Sequence, residues 1–246
     1  MNDWLSSIEK DYELDILFAC EAGSRAWGLA GEHSDFDIRF IYRHRSLKQY
    51  LSLKKAQSVM DFQSPFDVSG FDLFKAFELI SKSNPSIYEW AFSPIIYKDI
   101  GQFSTQLKMV IETNYSPYAL FKHYRSLSKR NIIEVSKGSY SLKKQKQLLQ
   151  AVRAELIRTG IMKTKKVRSP FEFIENAKTN YSNMSSAYFT ITEAKRNNEL
   201  LLPKEVENLI RLLQFSLIET DEENEIPKIQ SSIDKLDKWI WKILGI

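Results

Sequence analysis

One cysteine in 246 residues leaves nothing for an internal disulfide, and the three histidines, His33, His44 and His123, have no zinc-site spacing or company. Cys20 closes an apolar run, where it reads as a small buried hydrophobe rather than a nucleophile. No apolar run approaches the roughly 20 residues needed to span a bilayer. Met1-Asn2-Asp3-Trp4 also lacks a basic stretch followed by an apolar one, so the expectation is a cytoplasmic protein without a membrane partner. Internal repeats, low-complexity linkers, a Walker-type Lys-Ser/Thr turn and a nucleophile triad are missing too, which removes several competing chemistries. The sequence carries no signal for oligomeric state.

Hydrophobic residues make up 43% of the chain and charged residues 27%, the balance of a globular protein with a real core. Its most informative stretch runs from Cys20 to Arg39. Ile16-Leu17-Phe18-Ala19 reads as a buried strand, which Gly23-Ser24 breaks into a turn opening a short helical stretch. Backbone N–H groups at such a turn point at an anion, Gly23 removes a side chain that would block a triphosphate, and the Ser24 hydroxyl adds a donor.

Thirteen residues beyond Ala22, a second strand is expected to carry Asp35, Asp37 and Arg39 on one face, with Phe36, Ile38 and Phe40 on the other. Carboxylates about 7 Å apart along one strand repel unless a cation lies between them, and magnesium with oxygen ligands is the ordinary solution. That combination suits nucleotidyl transfer with Mg2+ or Mn2+ as cofactor and a nucleoside triphosphate as substrate.

Gly-Ser, a spacer and then Ser-Asp-x-Asp resembles the DNA polymerase β-like nucleotidyltransferase superfamily. Within it the chain resembles the group that includes the RNA-ligase-associated polymerase-like (RlaP) proteins. The matching stretches are GSRAWG, SDFDIRFIY, DVSGFDLFKAFELISKSNP, SIYEWAFSPIIY and, more weakly, HYRSLSKR with the helix after it, together covering most of residues 16 to 168. Ala22 stands where a serine is common and Phe74 where a basic residue is common. The resemblance implies an α+β fold: a nucleotidyltransferase-type mixed sheet with flanking helices, followed by a helical C-terminal portion. It also implies a third carboxylate from a neighbouring strand, for which Asp61, Asp67 and Asp72 are the candidates. Asp67 is preferred because Phe66 and Val68 would point to the opposite face; Asp72 is the alternative, although it directly precedes an amphipathic helix and suits its N-cap.

Strands alternate with helices to about Tyr97, ending on a short extended piece at Ser93–Tyr97, and the rest reads as helical. The expected division is therefore a catalytic domain over residues 1–100 and a helical domain over 101–246. Ser116-Pro117 should open a helix reaching about Val135, Ser86 and Glu89 form a capping-box pattern, and Pro170, Pro203 and Pro227 mark helix boundaries. The acidic stretch Thr220–Glu225 reads as a solvated turn.

Charge is unevenly placed. Residues 137–168 hold ten Lys and Arg against Glu155 alone, a local excess of +9 in a chain of net charge +4. Lys146 and Arg153, seven apart on one helical face, are candidates to hold the triphosphate, as the helices after the catalytic domain do in proteins this one resembles. Lys163, Lys165, Lys166 and Arg168 form a loop cluster suited to phosphate backbone. Arg25 and Arg39 are further candidate helpers at the nucleotide.

The function expected is transfer of a nucleoside monophosphate from an NTP to an acceptor hydroxyl, the acceptor being an RNA 3′ end. The alternatives are transfer to a protein side chain or small molecule, and nucleotide or nucleic-acid binding without catalysis.

Overall fold

The computed structural model describes every residue except 32, 33, 55, 180–182, 219 and 220, so the reading of His33 and that of Thr220 lie outside the described residues. The chain divides into two compact units, one formed by Met1–Tyr115 with Gln230–Ile246 and the other by Ser116–Ile229.

The first unit is built on a mixed five-stranded sheet of order β3-β4-β2-β1-β5. Its strands are β1 (Leu14–Glu21), β2 (Asp37–His44), β3 (Val59–Phe62), β4 (Asp67–Asp72) and β5 (Ile96–Asp99). β1 lies between β2 and β5, and all of it is buried except Asp15, which explains its near-continuous apolar sequence. β2 runs antiparallel to β1 and parallel to β4, with Cys20 opposite Arg39, Glu21 opposite Ile38, Asp37 opposite Asp67 and Tyr42 opposite Asp72. Gly70 makes the β2–β4 approach possible, because a Cβ there would stand 2.2 Å from the Phe40 ring.

Helix α1 (Asn2–Asp11) contributes Leu5 and Ile8 to a core with Leu14, Ile16, Ile38, Phe40, Tyr42, Met60 and Val68. Trp4 meets Phe62 and Phe66 edge-on beside that core, at 5.6 and 5.7 Å between ring centroids. A second aromatic cluster joins the helices α3 (Leu73–Ser81), α5 (Phe103–Asn114) and α11 (Ile233–Leu244): the Trp239 ring lies 4.8 Å from Phe77 and 5.1 Å from Phe103. The sequence-based boundary near residue 100 falls between β5 and α5. In the structure α5 and the distant α11 belong with the sheet.

Local capping follows the sequence in most places. Asp72 caps α3 by accepting from the Phe74 amide, and Ser116 caps α6 (Pro117–Val135) with Pro117 in the first turn. At α4 (Pro85–Ala91) the cap is Asn84, whose side chain accepts from the Ser86 and Ile87 amides, so Ser86 lies inside the helix rather than at a capping box. The helix starts at Pro85 because proline is favoured at the first helical position.

The second unit packs α6 against α7 (Leu142–Thr164), with α8 (Pro170–Thr179), α9 (Asn183–Arg196) and α10 (Pro203–Ser216) against α7. Glu155 is fully buried on α7 and is held by Arg158 through Nε at 2.9 Å and Nη2 at 2.6 Å, while Arg158 also donates to the Ser216 carbonyl at 2.9 Å. The acidic stretch expected as a solvated turn is a 3-10 helix over Asp221–Glu225. Glu223 is drawn in by Arg125, at 2.8 Å, a partner from α6 that no local pattern announces. No described helix is long and apolar enough to cross a membrane.

Candidate active site

β1 ends on Glu21, and the chain then turns rather than entering a helix. Ala26 N donates to the Gly23 carbonyl at 3.1 Å, Gly28 N to Arg25 at 3.1 Å and Leu29 N to Ser24 at 2.9 Å, a run of tight turns with Gly28 at φ +65°. The expected helical stretch is therefore absent from residues 22–28. Gly23 is needed for a second reason besides phosphate access: a Cβ on it would stand 2.6 Å from both Cβ and Oδ2 of Asp37. Ser24 is half-buried, and its hydroxyl makes no hydrogen bond among the described residues.

Arg25 is turned onto its own loop. Its Nη2 donates to the Ser34 carbonyl at 2.7 Å, and the guanidinium lies 4.0 Å from the centroid of the Phe36 ring. Phe36 in turn packs edge-on against Phe66 at 5.6 Å. Arg25 thus clips the turn to the entry of β2.

The carboxylates are not all on one strand. β2 begins at Asp37, and Asp35 lies exposed in the irregular segment before it. Ser34 accepts from the Gly31 amide at 2.9 Å through its hydroxyl and donates its own amide to the Gly31 carbonyl at 3.1 Å. Asp37 and Asp67, by contrast, are direct register partners on adjacent parallel strands, and Arg39 reaches both. Its Nη1 lies 3.2 Å from Asp67 Oδ1 and its Nη2 is in ion-pair contact with Asp37 Oδ1. Asp37 Oδ1 is buried, and Arg39 is the partner that meets it there. Burial raises the Asp37 carboxyl above its ordinary 3.8; Arg39 opposes this, and Asp67 and Glu21 reinforce it.

Asp72 stands at the far end of β4. It caps α3 and also accepts from the Tyr50 hydroxyl at 2.6 Å, which accounts fully for its burial. Asp61 is exposed on the edge strand β3, opposite Ser69.

Glu21 is the residue that sequence reasoning left without a role. It is fully buried; Oε1 accepts from the Asp37 amide at 2.9 Å and the Gly23 amide at 3.4 Å, and Oε2 accepts from the Tyr97 hydroxyl at 2.7 Å. The available signal was an acid closing an otherwise apolar strand immediately before a glycine turn, since such an acid is seldom fully buried unless paired.

A hard divalent cation bound through one or two carboxylates and substrate phosphates fits the chemistry of the Asp37–Asp67 pair: the donors are adjacent carboxylate oxygens, whose charge Arg39 balances here. Among the described residues no group of three or more His, Cys, Asp or Glu side chains is gathered closely enough to enclose an ion.

In the helical unit, Lys146 is exposed and Arg153 half-buried on α7. Lys195 on α9, unanticipated from the sequence, joins them: its ammonium pKa is lowered by burial and then by the charges of Lys146 and Arg153. Several basic residues of segment 137–168 are paired with acids. Arg158 pairs with Glu155 at 2.6 Å, Lys165 with Glu225 at 3.2 Å and Arg168 with Glu172 at 3.1 Å.

Comparison with known proteins agrees with the motif pattern. A family model described as "RNA repair pathway DNA polymerase beta family" (RlaP) matches residues 1–242. An uncharacterized protein of Bacillus subtilis strain 168, YcgL, is 35% identical over 138 residues, which are 55% of this chain and 53% of that protein. The chain thus matches about half the length of that relative. The crystal structure of a nucleotidyltransferase-like protein from Exiguobacterium sibiricum aligns over 88% of this chain and 74% of its own, at 14% identity and a TM-score of 0.39.

Proposed function

The chain belongs to the RNA repair pathway DNA polymerase beta family, and from that premise we propose that it is a metal-dependent nucleotidyltransferase acting on an RNA 3′ end. An acceptor hydroxyl oxygen attacks the α-phosphorus of an NTP, the bond from that phosphorus to the β-phosphate bridging oxygen breaks, pyrophosphate leaves and the hydroxyl proton passes to solvent. The observation that carries the reading is the register pairing of Asp37 with Asp67, with the Asp37 side chain lying against Gly23.

Asp37 and Asp67 would hold Mg2+ or Mn2+, with Asp35 entering from the preceding loop. A bound divalent ion supplies a lowered pKa for the attacking hydroxyl and charge neutralisation of the leaving pyrophosphate. The amides of Ser24 and Arg25, which the turn's own hydrogen bonds leave over, and Ser24 Oγ receive phosphate oxygens, the hydroxyl being without another partner among the described residues. Arg39 balances the two carboxylates before substrate arrives, and Arg25 keeps the turn closed on β2. Within the helical unit, Lys146 and Arg153 present positive charge suited to an anionic ligand.

The test is transfer of α-32P label from each of the four NTPs, with Mg2+ or Mn2+, into short RNA oligonucleotides and, separately, into lysate protein. Label on RNA that disappears in Asp37→Ala and Asp67→Ala supports the proposal. Label on protein alone replaces the RNA acceptor with a protein one, and no label on either overturns both.

A further inference from the structure

Glu21 is a carboxylate with no access to solvent, at the point where β1, the glycine turn, β2 and β5 meet. Burying an ion is costly unless its lone pairs are satisfied, and here they are satisfied by groups that belong to the site itself. One oxygen takes the amide of Asp37 at 2.9 Å and, more loosely, that of Gly23 at 3.4 Å. The other takes the Tyr97 hydroxyl from β5 at 2.7 Å. The main chain of Glu21 is fixed as well: its amide donates to the Ile95 carbonyl at 3.0 Å and its carbonyl accepts from Ser93 Oγ at 2.6 Å.

These bonds couple two parts that the sequence separates. The turn that would receive phosphate and the strand start that carries Asp37 are each tethered to the same carboxylate. The Ala22 amide adds a direct tie to the Asp37 carbonyl at 2.8 Å. Gly23 lies against the Asp37 side chain with no room for a Cβ, so a small slip of either segment would change the carboxylate's position.

We propose that Glu21 is a positioning residue that sets Asp37 and the Gly23 turn as one rigid cation- and phosphate-binding edge, with Tyr97 fixing Glu21 in turn. The proposal rests on the metal-binding reading of Asp37 given above. Glu21 acts through hydrogen-bond acceptance at Oε1, which a glutamine side chain reproduces without the charge.

The experiment reads Mn2+ binding to the full chain by the loss of the free-ion EPR signal, with no substrate present and at a temperature well below the melting transition of each variant. Glu21→Ala should weaken Mn2+ binding by about tenfold or more. Tyr97→Phe, which keeps the packing and removes one hydrogen bond, should weaken it by about threefold to fivefold. Glu21→Gln should stay within about twofold of the parent because the acceptor remains. Variants that melt earlier but bind Mn2+ as the parent does would make Glu21 merely structural and overturn the proposal. Glu21→Gln binding as weakly as Glu21→Ala would also overturn it, because charge rather than position would then be responsible. Should the parent chain show no Mn2+ binding that Asp37→Asn removes, the metal reading itself fails, an outcome distinct from both others.

Discussion

Asp37 and Asp67 are register partners on parallel strands, so their side chains emerge side by side with Arg39 reaching both. Neighbouring strands are about 4.8 Å apart, close enough for two carboxylates to share one cation. Either partner alone leaves the pair incomplete. Asp37→Ala and Asp67→Ala should each lower nucleotidyl transfer by about 100-fold or more, several kcal/mol of transition-state stabilisation, in a labelled-NTP assay.

Gly23→Ala tests the turn from the opposite side. The added methyl would stand 2.6 Å from Asp37, so one of the two segments must move. A destabilisation of about 1–3 kcal/mol is expected from denaturant melts, together with weaker Mn2+ binding than in the parent.

Asp72 separates stability from chemistry. It sits at the other end of β4 from Asp67 and serves α3 and Tyr50. Asp72→Ala should cost about 1–3 kcal/mol through the lost cap and the unsatisfied hydroxyl, while Mn2+ binding stays within about twofold.

The same residue gives a pH dependence. Burial raises the Asp72 carboxyl above its ordinary 3.8, against the opposing hydrogen bonds from Tyr50 and Phe74. A pKa raised by folding contributes stability that is complete below the unfolded value and is lost as pH climbs through the folded one. The melting temperature of Asp72→Asn relative to the parent should therefore shift in favour of the variant as pH rises from below 3.8 through the acidic range. Thermal melts across that series check the direction.

In the helical unit, Arg158→Met would strand Glu155 without its cation in a fully buried site. The expected loss is about 3–5 kcal/mol, and replacing both residues by apolar ones should cost less than the single change. Lys146→Ala, at an exposed position, should leave melting nearly unchanged. Lys146→Ala and Arg153→Ala should each reduce the salt dependence of RNA binding by about one in the slope of log K against log salt.

Features carried by neighbouring residues were legible from the sequence. Gly23-Ser24 ending a strand, Asp72 before an amphipathic helix and Ser116-Pro117 opening α6 all depend on a few adjacent side chains and their backbone preferences. Asp35 was placed on β2 by alternation alone, whereas β2 begins at Asp37, and alternation does not show where a strand starts. Glu21 could not be assigned because its partners come from β2 and β5, and periodicity carries no information about strand order. Lys195 stayed invisible for the same reason, being near Lys146 and Arg153 only through the packing of α9 on α7.

The sheet unit is discontinuous in the chain, leaving at Tyr115 and resuming at Gln230. Trp239, which fills the space beside Phe77 and Phe103, is therefore synthesised after every helix of the other unit. Closing so long a connection adds little equilibrium cost, since each doubling of a loop adds only about 0.6 kcal/mol. Its effect is on timing: during translation the strands bearing Asp37 and Asp67 emerge early, yet the aromatic cluster of α3 and α5 lacks Trp239 until α11 leaves the ribosome. The cluster around Phe77 and Phe103 is thus completed only by the last helix of the unit.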